Sequence, residues 1–326
     1  MRRREFITLL GSAALAWPCT AHAQASKLPT IGFLNSAAPD DWAPSIAAFR
    51  QGLSDAGYEE RRNVALAFRF AEYHYDRLPA LALDLVSQGV DVIVATGGDY
   101  SIKAAIAATS TIPIVFTTGN DPVAAGYVKS LRQPGGNATG VTFLGSSLEA
   151  KRLEVLHEID PKATSVAVLI GQEARAESDM RAIEGAAKSL ALSVRFVRIR
   201  GEDDIIPAFK DITAHRDNAI HIVTDPFFFA RARMLAALAA QAGLPITGNA
   251  REFAAAGALL SYGATLHSAY HDAGAYAGRI LKGDKPAELP VQESTKIELV
   301  INLKTAKALG LTVPLTLQGR ADEMIE

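Results

Sequence analysis

The sequence predicts an α/β protein made of two lobes, each built on a parallel sheet. The chain has 326 residues, 49% of them hydrophobic and 21% charged, which is enough for about two domains of ordinary size. Short apolar runs alternate with longer helical patterns, as strand–helix–strand units require. This alternation restarts near the middle of the chain, which indicates two similar lobes rather than one large sheet.

The first set of elements extends to residue 143. Its predicted strands are 30–34, 63–70, 90–95, 112–116 and 140–143, and its predicted helices are 44–56, 75–87 and 101–108. The second set has predicted helices 149–159, 178–190, 205–215 and 230–241 and predicted strands 165–170, 194–199, 219–223 and 245–247. A tail follows, with strands 257–262 and 296–301 around a helix 266–281. These last elements are expected to add to the earlier sheets, so the chain would cross between the lobes more than once and form a hinge.

The charge balance argues against a nucleic-acid partner. Lys and Arg number 33 against 35 Asp and Glu, for a net charge of -2, and no basic surface of the kind that binds nucleic acid is indicated.

The first 23 residues are typical of a secretory signal peptide. Arg2, Arg3 and Arg4 precede an apolar run that is too short to span a bilayer, and Ala21-His22-Ala23 has the small-residue pattern of a cleavage site. Arg3 and Arg4 also resemble the twin-arginine motif, so Sec and twin-arginine export both stay open. We therefore expect a periplasmic protein that begins near Gln24, lacks Cys19 and has no stable membrane insertion.

The loops at the carboxyl ends of the predicted strands are the expected ligand site, because ligands bind there in open parallel sheets. Thr96-Gly97-Gly98-Asp99 opens a predicted helix, so its backbone N–H groups could hold a carboxylate. The alternative is a tight turn in which Asp99 caps the helix.

Signatures of an enzyme are weak. The sequence has no phosphate-binding glycine loop and no G-x-S-x-G motif. His267 and His271 have the spacing of two metal ligands on one helix face, although a solvated face explains them better. Asp121 and Asp225 could act as general bases, but Asp before Pro also begins turns. We expect no catalytic residue, no metal and no cofactor.

Several motifs resemble one protein family over essentially the whole chain after the signal peptide. They are Ile31-Gly32-Phe33-Leu34-Asn35, residues 75–82, residues 112–122, residues 134–142, Asp225-Pro226-Phe227-Phe228, Arg251-Glu252-Phe253, Leu260-Ser261-Tyr262-Gly263 and the ending from Lys296 to Glu326. They resemble the ABC-transporter substrate-binding proteins related to the tryptophan-uptake binding protein. The resemblance implies a type I periplasmic-binding-protein fold, with two Rossmann-like lobes joined by a three-crossover hinge. Lobe I would comprise 28–143 plus about 263–290, and lobe II 144–262 plus about 291–326.

The resemblance also implies where a ligand binds. The first lobe would hold a carboxylate with 97–101 and 117–119, and the second would complete the site with polar or acidic groups. The candidate ligand-binding residues are Asn35, Trp42, Gly98, Asp99, Tyr100, Thr117, Thr118, Gln172, Asp225, Phe227 and Asn249. Asp99-Tyr100 and the segment 172–175 depart from the family pattern, which leaves the identity of the ligand open.

The function implied is a periplasmic solute-binding protein. It would capture an amino acid or another small carboxylate and deliver it to an ABC permease and ATPase. The ligand would be aromatic if Trp42, Tyr100 and Phe227 border the cleft. The protein itself is expected to be a monomer. Two alternatives stay open: a sensor-input protein that docks on a receptor, and an exported enzyme.

Overall fold

The structure is a computed structural model that describes residues 28–143, 145–171, 176–294 and 296–326. Two β-sheets with helices on their faces confirm the α/β class and the two-lobed fold. Lobe I denotes the part built on the first sheet, and lobe II the part built on the second. The predicted signal peptide, residues 1–23, and Gln172 lie outside the described residues.

Strands and helices are numbered along the chain. The strands are β1 (Thr30–Asn35), β2 (Ala65–Phe70), β3 (Val92–Thr96), β4 (Ile114–Thr118), β5 (Ala138–Thr142), β6 (Ser165–Ile170), β7 (Ser193–Arg198), β8 (Ala219–Ile222), β9 (Ile246–Gly248), β10 (Leu260–Ala264), β11 (Gln292–Glu293), β12 (Ile297–Asn302) and β13 (Glu323–Ile325). The helices are α1 (Ala43–Asp55), α2 (Leu78–Ser87), α3 (Asp99–Ala108), α4 (Gly145–Ile159), α5 (Ala176–Ser189), α6 (Ile205–His215), α7 (Pro226–Ala230), α8 (Ala232–Ala242), α9 (Arg251–Ala255), α10 (Leu266–Leu281), α11 (Leu303–Ala308) and α12 (Leu315–Gln318).

The two sheets have similar orders. In lobe I the order is β11-β5-β4-β3-β1-β2, and in lobe II it is β13-β12-β10-β9-β8-β6-β7. The central strands are apolar and buried along their length, as in β3 and β6, because helices cover both faces of a parallel sheet. The short helices α7, α9, α11 and α12 and the edge strands β11 and β13 were not predicted from the sequence.

One strand pair departs from the expected parallel arrangement, since β10 and β12 are antiparallel. The path of the chain explains it. β11 runs parallel to β5 in lobe I, and the chain passes from its carboxyl end directly into β12. β12 thus enters lobe II at the edge where the other strands end, and so it must run in the opposite direction.

The chain passes between the sheets after β5, after β10 and after β11. The second passage leads from β10 of lobe II into α10, which packs against α1 and the sheet of lobe I. The third lies between Glu293 and Ile297, a few residues beyond the expected boundary near 291. Three connecting segments side by side are the arrangement of a hinge.

The contact between α1 and α10 brings the two backbones together. A Cβ atom added to Gly52 would lie 1.8 Å from the carbonyl oxygen of His271, and one added to Gly274 would lie 2.1 Å from that of Phe49. Only glycine fits at such an approach, which fixes the crossover helix α10 on lobe I.

Within the described ranges, no helix is long and apolar enough to cross a membrane.

Candidate functional site

A cavity lies between the lobes, at the carboxyl ends of strands from both sheets. Its empty space, counted together with the open solvent at its mouth, is about 520 Å³. Its lining residues are Trp42, Gly97, Gly98, Asp99, Thr117, Gly119, Phe143, Thr224, Asp225, Pro226, Phe229, Asn249, Leu266 and Tyr270. Six candidate residues from the sequence are thus together here: Trp42, Gly98, Asp99, Thr117, Asp225 and Asn249.

In lobe I the start of α3 forms one polar wall. Gly97 and Gly98 have φ angles of 77° and 100°, a left-handed conformation that favours glycine. A Cβ atom on Gly97 would also lie 2.4 Å from Oδ1 of Asn35. This turn places the start of a ten-residue helix at the cavity, and the first N–H groups of a helix favour a negatively charged group.

Asp99 is the first residue of α3 and is buried. Gly98, not Asp99, occupies the capping position of this helix, so the alternative of an Asp99 cap is wrong. The Asp99 carboxylate instead accepts hydrogen bonds from Thr118 Oγ1 at 3.0 Å and from Asn120 Nδ2. It is therefore held within lobe I by its neighbours.

In lobe II the polar wall consists of hydrogen-bond acceptors. Asp225 is 2% exposed and caps α7, with Oδ1 accepting from the Phe227 N–H at 2.7 Å. Asn249 follows β9 and is 9% exposed, and its Oδ1 has no hydrogen-bond partner among the described residues. A buried amide oxygen without a partner is costly, so this wall suits a ligand that donates hydrogen bonds.

The remaining walls are largely apolar and aromatic. The rings of Trp42 and Phe229 meet edge to face across the cleft, with centroids 4.8 Å apart. Trp42 donates its indole N–H to the hydroxyl of Tyr270. Burial raises the pKa of Tyr270, so this hydroxyl stays neutral. Trp42 comes from lobe I and Phe229 from lobe II, so their contact holds the lobes together over the cavity.

Four other candidate residues are not among those lining the cavity. Asn35 lies behind the wall, where Oδ1 accepts from the Ala37 N–H at 2.7 Å and Nδ2 donates to Thr96 Oγ1 at 2.9 Å. Thr118 holds Asp99, as described above. Tyr100 stacks on Tyr75.

Phe227 is the fourth, and it lies at the outer rim of the cleft. Its ring is 3.8 Å from the Arg231 guanidinium. Arg231 also lies 4.9 Å from the ring of Tyr73 in lobe I, so this stack joins the lobes at the rim.

The histidine pair is outside the cavity. His267 and His271 line a separate groove beside α10, and His271 Nε2 is 2.8 Å from Asp55 Oδ2. In the part of the chain that the structure describes, no group of three or more His, Cys, Asp or Glu side chains could hold a metal. Asp121 accepts from the backbone N–H groups of Val123 and Ala124, as the turn interpretation predicts.

Several lining residues are not among the candidates named from the sequence, namely Phe143, Thr224, Phe229, Leu266 and Tyr270. The sequence around Asp225 contained a pattern that could have indicated Phe229 as a lining residue. Asp225-Pro226 is a cap followed by proline in the first helical turn, and residues three apart on a helix share a face. Pro226 and Phe229 are so spaced, whereas Phe227 points to the rim. Leu266 and Tyr270 lie on α10, which the family resemblance places in lobe I, but they were not among the candidate residues.

The cavity is suited to noncovalent binding. None of the described residues that line it is a Cys, Ser, His, Lys or Arg. Its polar groups lie at opposite lobes and its aromatic rings between them. This is the arrangement of a site that recognises a small molecule by its two ends and its apolar body.

Two α/β lobes, three connecting segments and a cavity between them define a two-lobed ligand-binding protein. The chain belongs to the ABC transporter substrate-binding protein family, whose model matches residues 42–325. This confirms the family resemblance and the type I periplasmic-binding-protein fold.

Three proteins with which the chain shares similarity illustrate the family. A tyrosine-binding protein of Clostridioides difficile (strain R20291) is 28% identical over 265 residues, which cover 81% of this chain and 75% of that protein. A crystal structure of a conserved domain protein from Vibrio cholerae is 28% identical with a TM-score of 0.84, covering 91% of this chain and 100% of that one. The structure of an ABC domain in complex with L-Trp from Streptococcus pneumonia is 23% identical with a TM-score of 0.84, covering 92% of this chain and 100% of that one.

Proposed function

We propose that this protein is a periplasmic solute-binding protein that captures an amino acid with an aromatic side chain and delivers it to an ABC importer. The observation that carries the proposal is the polarity of the cavity. Lobe I presents helix N–H groups, lobe II presents the buried oxygens of Asp225 and Asn249, and aromatic rings lie between them.

An α-amino acid matches this polarity at both ends. Its carboxylate would accept from the N–H groups at the start of α3, and its ammonium would donate to Asp225 and to Asn249 Oδ1. Its side chain would pack among Trp42, Phe143, Phe229 and Leu266. Two relatives support a ligand with an aromatic side chain, since one is named a tyrosine-binding protein and the structure of the other is a complex with L-Trp.

Binding would proceed by closure of the lobes about their three connecting segments. No bond is made or broken, and the ligand selects the closed state because only that state offers both halves of the site. Under this proposal the lobes are close to the expected 28–143 plus about 263–290 and 144–262 plus about 291–326, with the third passage a few residues later, between Glu293 and Ile297. Asn35, Tyr100, Thr118 and Phe227 act around the cavity, and Gln172 remains a candidate contact.

Calorimetry with a small panel tests the ligand class. L-tyrosine and L-tryptophan are expected to bind. Tyramine, which is L-tyrosine without its carboxylate, and 3-(4-hydroxyphenyl)propionate, which is L-tyrosine without its ammonium, should each bind at least about tenfold more weakly than L-tyrosine, because each leaves buried polar groups of the site without a partner. Equal binding of all four compounds would contradict the proposed recognition of both ends.

Asp225→Asn separates ligand recognition from folding. Asparagine caps helices about as well as aspartate, so α7 should persist while the charge facing the ammonium is lost. The expected result is weaker binding of L-tyrosine with little change in melting temperature. Asp121→Asn is the matched control, because Asp121 also begins a helical turn but is exposed and away from the cavity.

Location and partners have their own tests. N-terminal sequencing of exported protein should find Gln24 at or near the start, and a retained Met1 would contradict the signal-peptide assignment. A neighbouring permease and ATPase that co-purify with the ligand-loaded protein would support delivery to an importer. Coupling to a receptor kinase instead would favour the sensor alternative.

A further inference from the structure

A cluster of charged side chains is buried in lobe II directly behind the cavity. Glu149 and Arg152 come from α4 and His221 from β8, and each is 0% exposed. Arg152 Nη2 is 2.8 Å from Glu149 Oε1, and His221 Nε2 is 2.9 Å from Glu149 Oε2. Burying such groups costs free energy that packed apolar residues would not cost, so their presence here calls for a reason other than stability.

Glu149 holds a residue of the cavity wall. Its Oε1 accepts from the Thr224 backbone N–H at 3.1 Å and from the Thr224 hydroxyl at 3.0 Å. Arg152 donates to the Ile222 carbonyl at 3.1 Å and to Thr224 Oγ1 at 3.3 Å. The cluster therefore fixes the backbone and side chain of Thr224, the residue immediately before Asp225.

The cluster also reaches the second polar residue of lobe II. Thr247 Oγ1 lies 3.1 Å from His221 Nδ1. Thr247 is on β9, two residues before Asn249. Burial lowers the pKa of His221 despite the nearby Glu149 carboxylate. The neutral ring then donates from Nε2 to Glu149 and accepts at Nδ1 from the Thr247 hydroxyl.

We propose that Glu149 is a positioning residue that sets the lobe II half of the ligand site, holding Asp225 through Thr224 and Asn249 through His221 and Thr247. Because α4 follows the first connecting segment between the lobes, the same carboxylate ties this half-site to the hinge. The ligand part of this inference rests on the proposed function, but the placement of Thr224 does not.

A second buried charge in lobe II provides the matched control. Asp217 is 5% exposed and accepts from Arg195 Nη2 and from Ser165 Oγ, each at 2.5 Å. It lies just before β8, at the end of that strand away from the cavity. Asp217→Asn removes a comparable buried charge from the same lobe without touching Thr224 or Thr247.

Hydrogen exchange of the ligand-free protein tests the positioning directly. With Glu149→Gln, the Thr224 amide should exchange at least about tenfold faster, because its carboxylate acceptor has become a neutral amide. In Asp217→Asn the Thr224 amide should exchange as in the wild type. Unchanged exchange at Thr224 in Glu149→Gln would overturn the proposal.

Binding of L-tyrosine provides the second readout. Glu149→Gln should weaken it at least about tenfold, whereas Asp217→Asn should leave it within about twofold even where both variants melt at lower temperature. A melting temperature that falls in both variants with affinity unchanged in both would leave Glu149 a merely structural residue and overturn the proposal.

Thr247 keeps the proposal testable if Glu149→Gln fails to fold. Thr247→Val removes the hydroxyl that donates a hydrogen bond to His221 Nδ1, whereas Thr247→Ser retains it. Faster exchange in the 247–249 segment of the valine variant, with wild-type exchange in the serine variant, is the expected result, and equal behaviour of the two would contradict it. If wild-type protein binds neither L-tyrosine nor L-tryptophan, the proposed ligand is wrong, and the exchange experiments still decide the role of Glu149.

Discussion

The indole N–H of Trp42 donates to the hydroxyl of Tyr270, and the two side chains are 2% and 1% exposed. Tyr270 lies on the crossover helix α10, and Trp42 ends the 3₁₀ turn Asp40–Trp42 that follows β1. This hydrogen bond fixes the indole to lobe I. Phe229 of lobe II contacts its ring, so the surroundings of Trp42 depend on whether the lobes are closed.

Trp42 should therefore report closure by its fluorescence. It is the only tryptophan after residue 23, and opening of the lobes would remove Phe229 and admit water. We expect a blue shift on addition of L-tyrosine to protein that begins at Gln24, which lacks Trp17, with excitation chosen to avoid tyrosine absorption. Flat emission while calorimetry detects binding would show that Trp42 does not sense closure. Trp42→Phe, followed by calorimetry, shows how much the indole itself contributes to affinity.

Arg231 should slow release of the ligand. Its guanidinium lies between Phe227 of its own lobe and Tyr73 of lobe I, and cation–π contacts contribute about 0.5–2 kcal/mol. Arg231→Ala should therefore raise the dissociation rate of L-tyrosine, measured by stopped flow, by about 2-fold to 30-fold. Glu202→Gln is the control, because it removes the charge of the exposed Glu202 side chain that pairs with Arg231 and leaves the guanidinium and both rings in place. An equal effect of the two variants would assign the role to charge rather than stacking.

The sequence predicted the regular elements of the fold better than the details of the site. The patterns over 165–170, 205–215 and 266–281 match β6, α6 and α10, because periodicity is a local property. The antiparallel β12 could not be read locally, since its direction depends on where the chain re-enters a sheet. The return of α10 to lobe I was expected from the family resemblance and not from a local pattern.

The same limit explains the site. Gly98, Asp99 and Asp225 lie within three residues of the carboxyl ends of β3 and β8, and a rule about strand ends finds them. Tyr270 and Leu266 reach the cavity only because α10 packs on α1 through Gly52 and Gly274. Glu149 acts from a helix behind Thr224, a position that no motif marks.

His221 should make the protein less stable in mild acid. Burial lowers its pKa below the ordinary 6.5, although Glu149 opposes the shift and Arg152 reinforces it. The unfolded chain then binds a proton more readily than the folded one, so stability falls as the pH drops below about 6.5, by at most about 1.4 kcal/mol per pH unit. The free energy of unfolding of wild type and of His221→Gln can be measured with urea at several pH values between about 7.5 and 5. The wild type should lose more stability over this range. The shift of His271 is opposite and cancels in this comparison.

Gly274 should be intolerant of even one added methyl group. Alanine favours helices over glycine by about 1 kcal/mol, so Gly→Ala at an open helical site should stabilise the protein. At Gly274, however, the new Cβ atom would meet the Phe49 carbonyl oxygen at 2.1 Å and the Leu53 nitrogen at 2.7 Å. Backbone atoms cannot give way as a flexible side chain can, so α1 and α10 must separate, and overpacking of this kind typically costs about 1–3 kcal/mol.

Gly185→Ala in α5 is the matched control, because nothing lies within 4 Å of a Cβ atom there. Urea unfolding should show Gly185→Ala slightly more stable than the wild type and Gly274→Ala less stable. Since α10 carries Tyr270 and Leu266 into the cavity, Gly274→Ala should also weaken L-tyrosine binding, whereas Gly185→Ala should not. Equal stability of the two variants would mean that α1 and α10 are not in backbone contact in solution, and the placement of Tyr270 beside Trp42 would lose its structural basis.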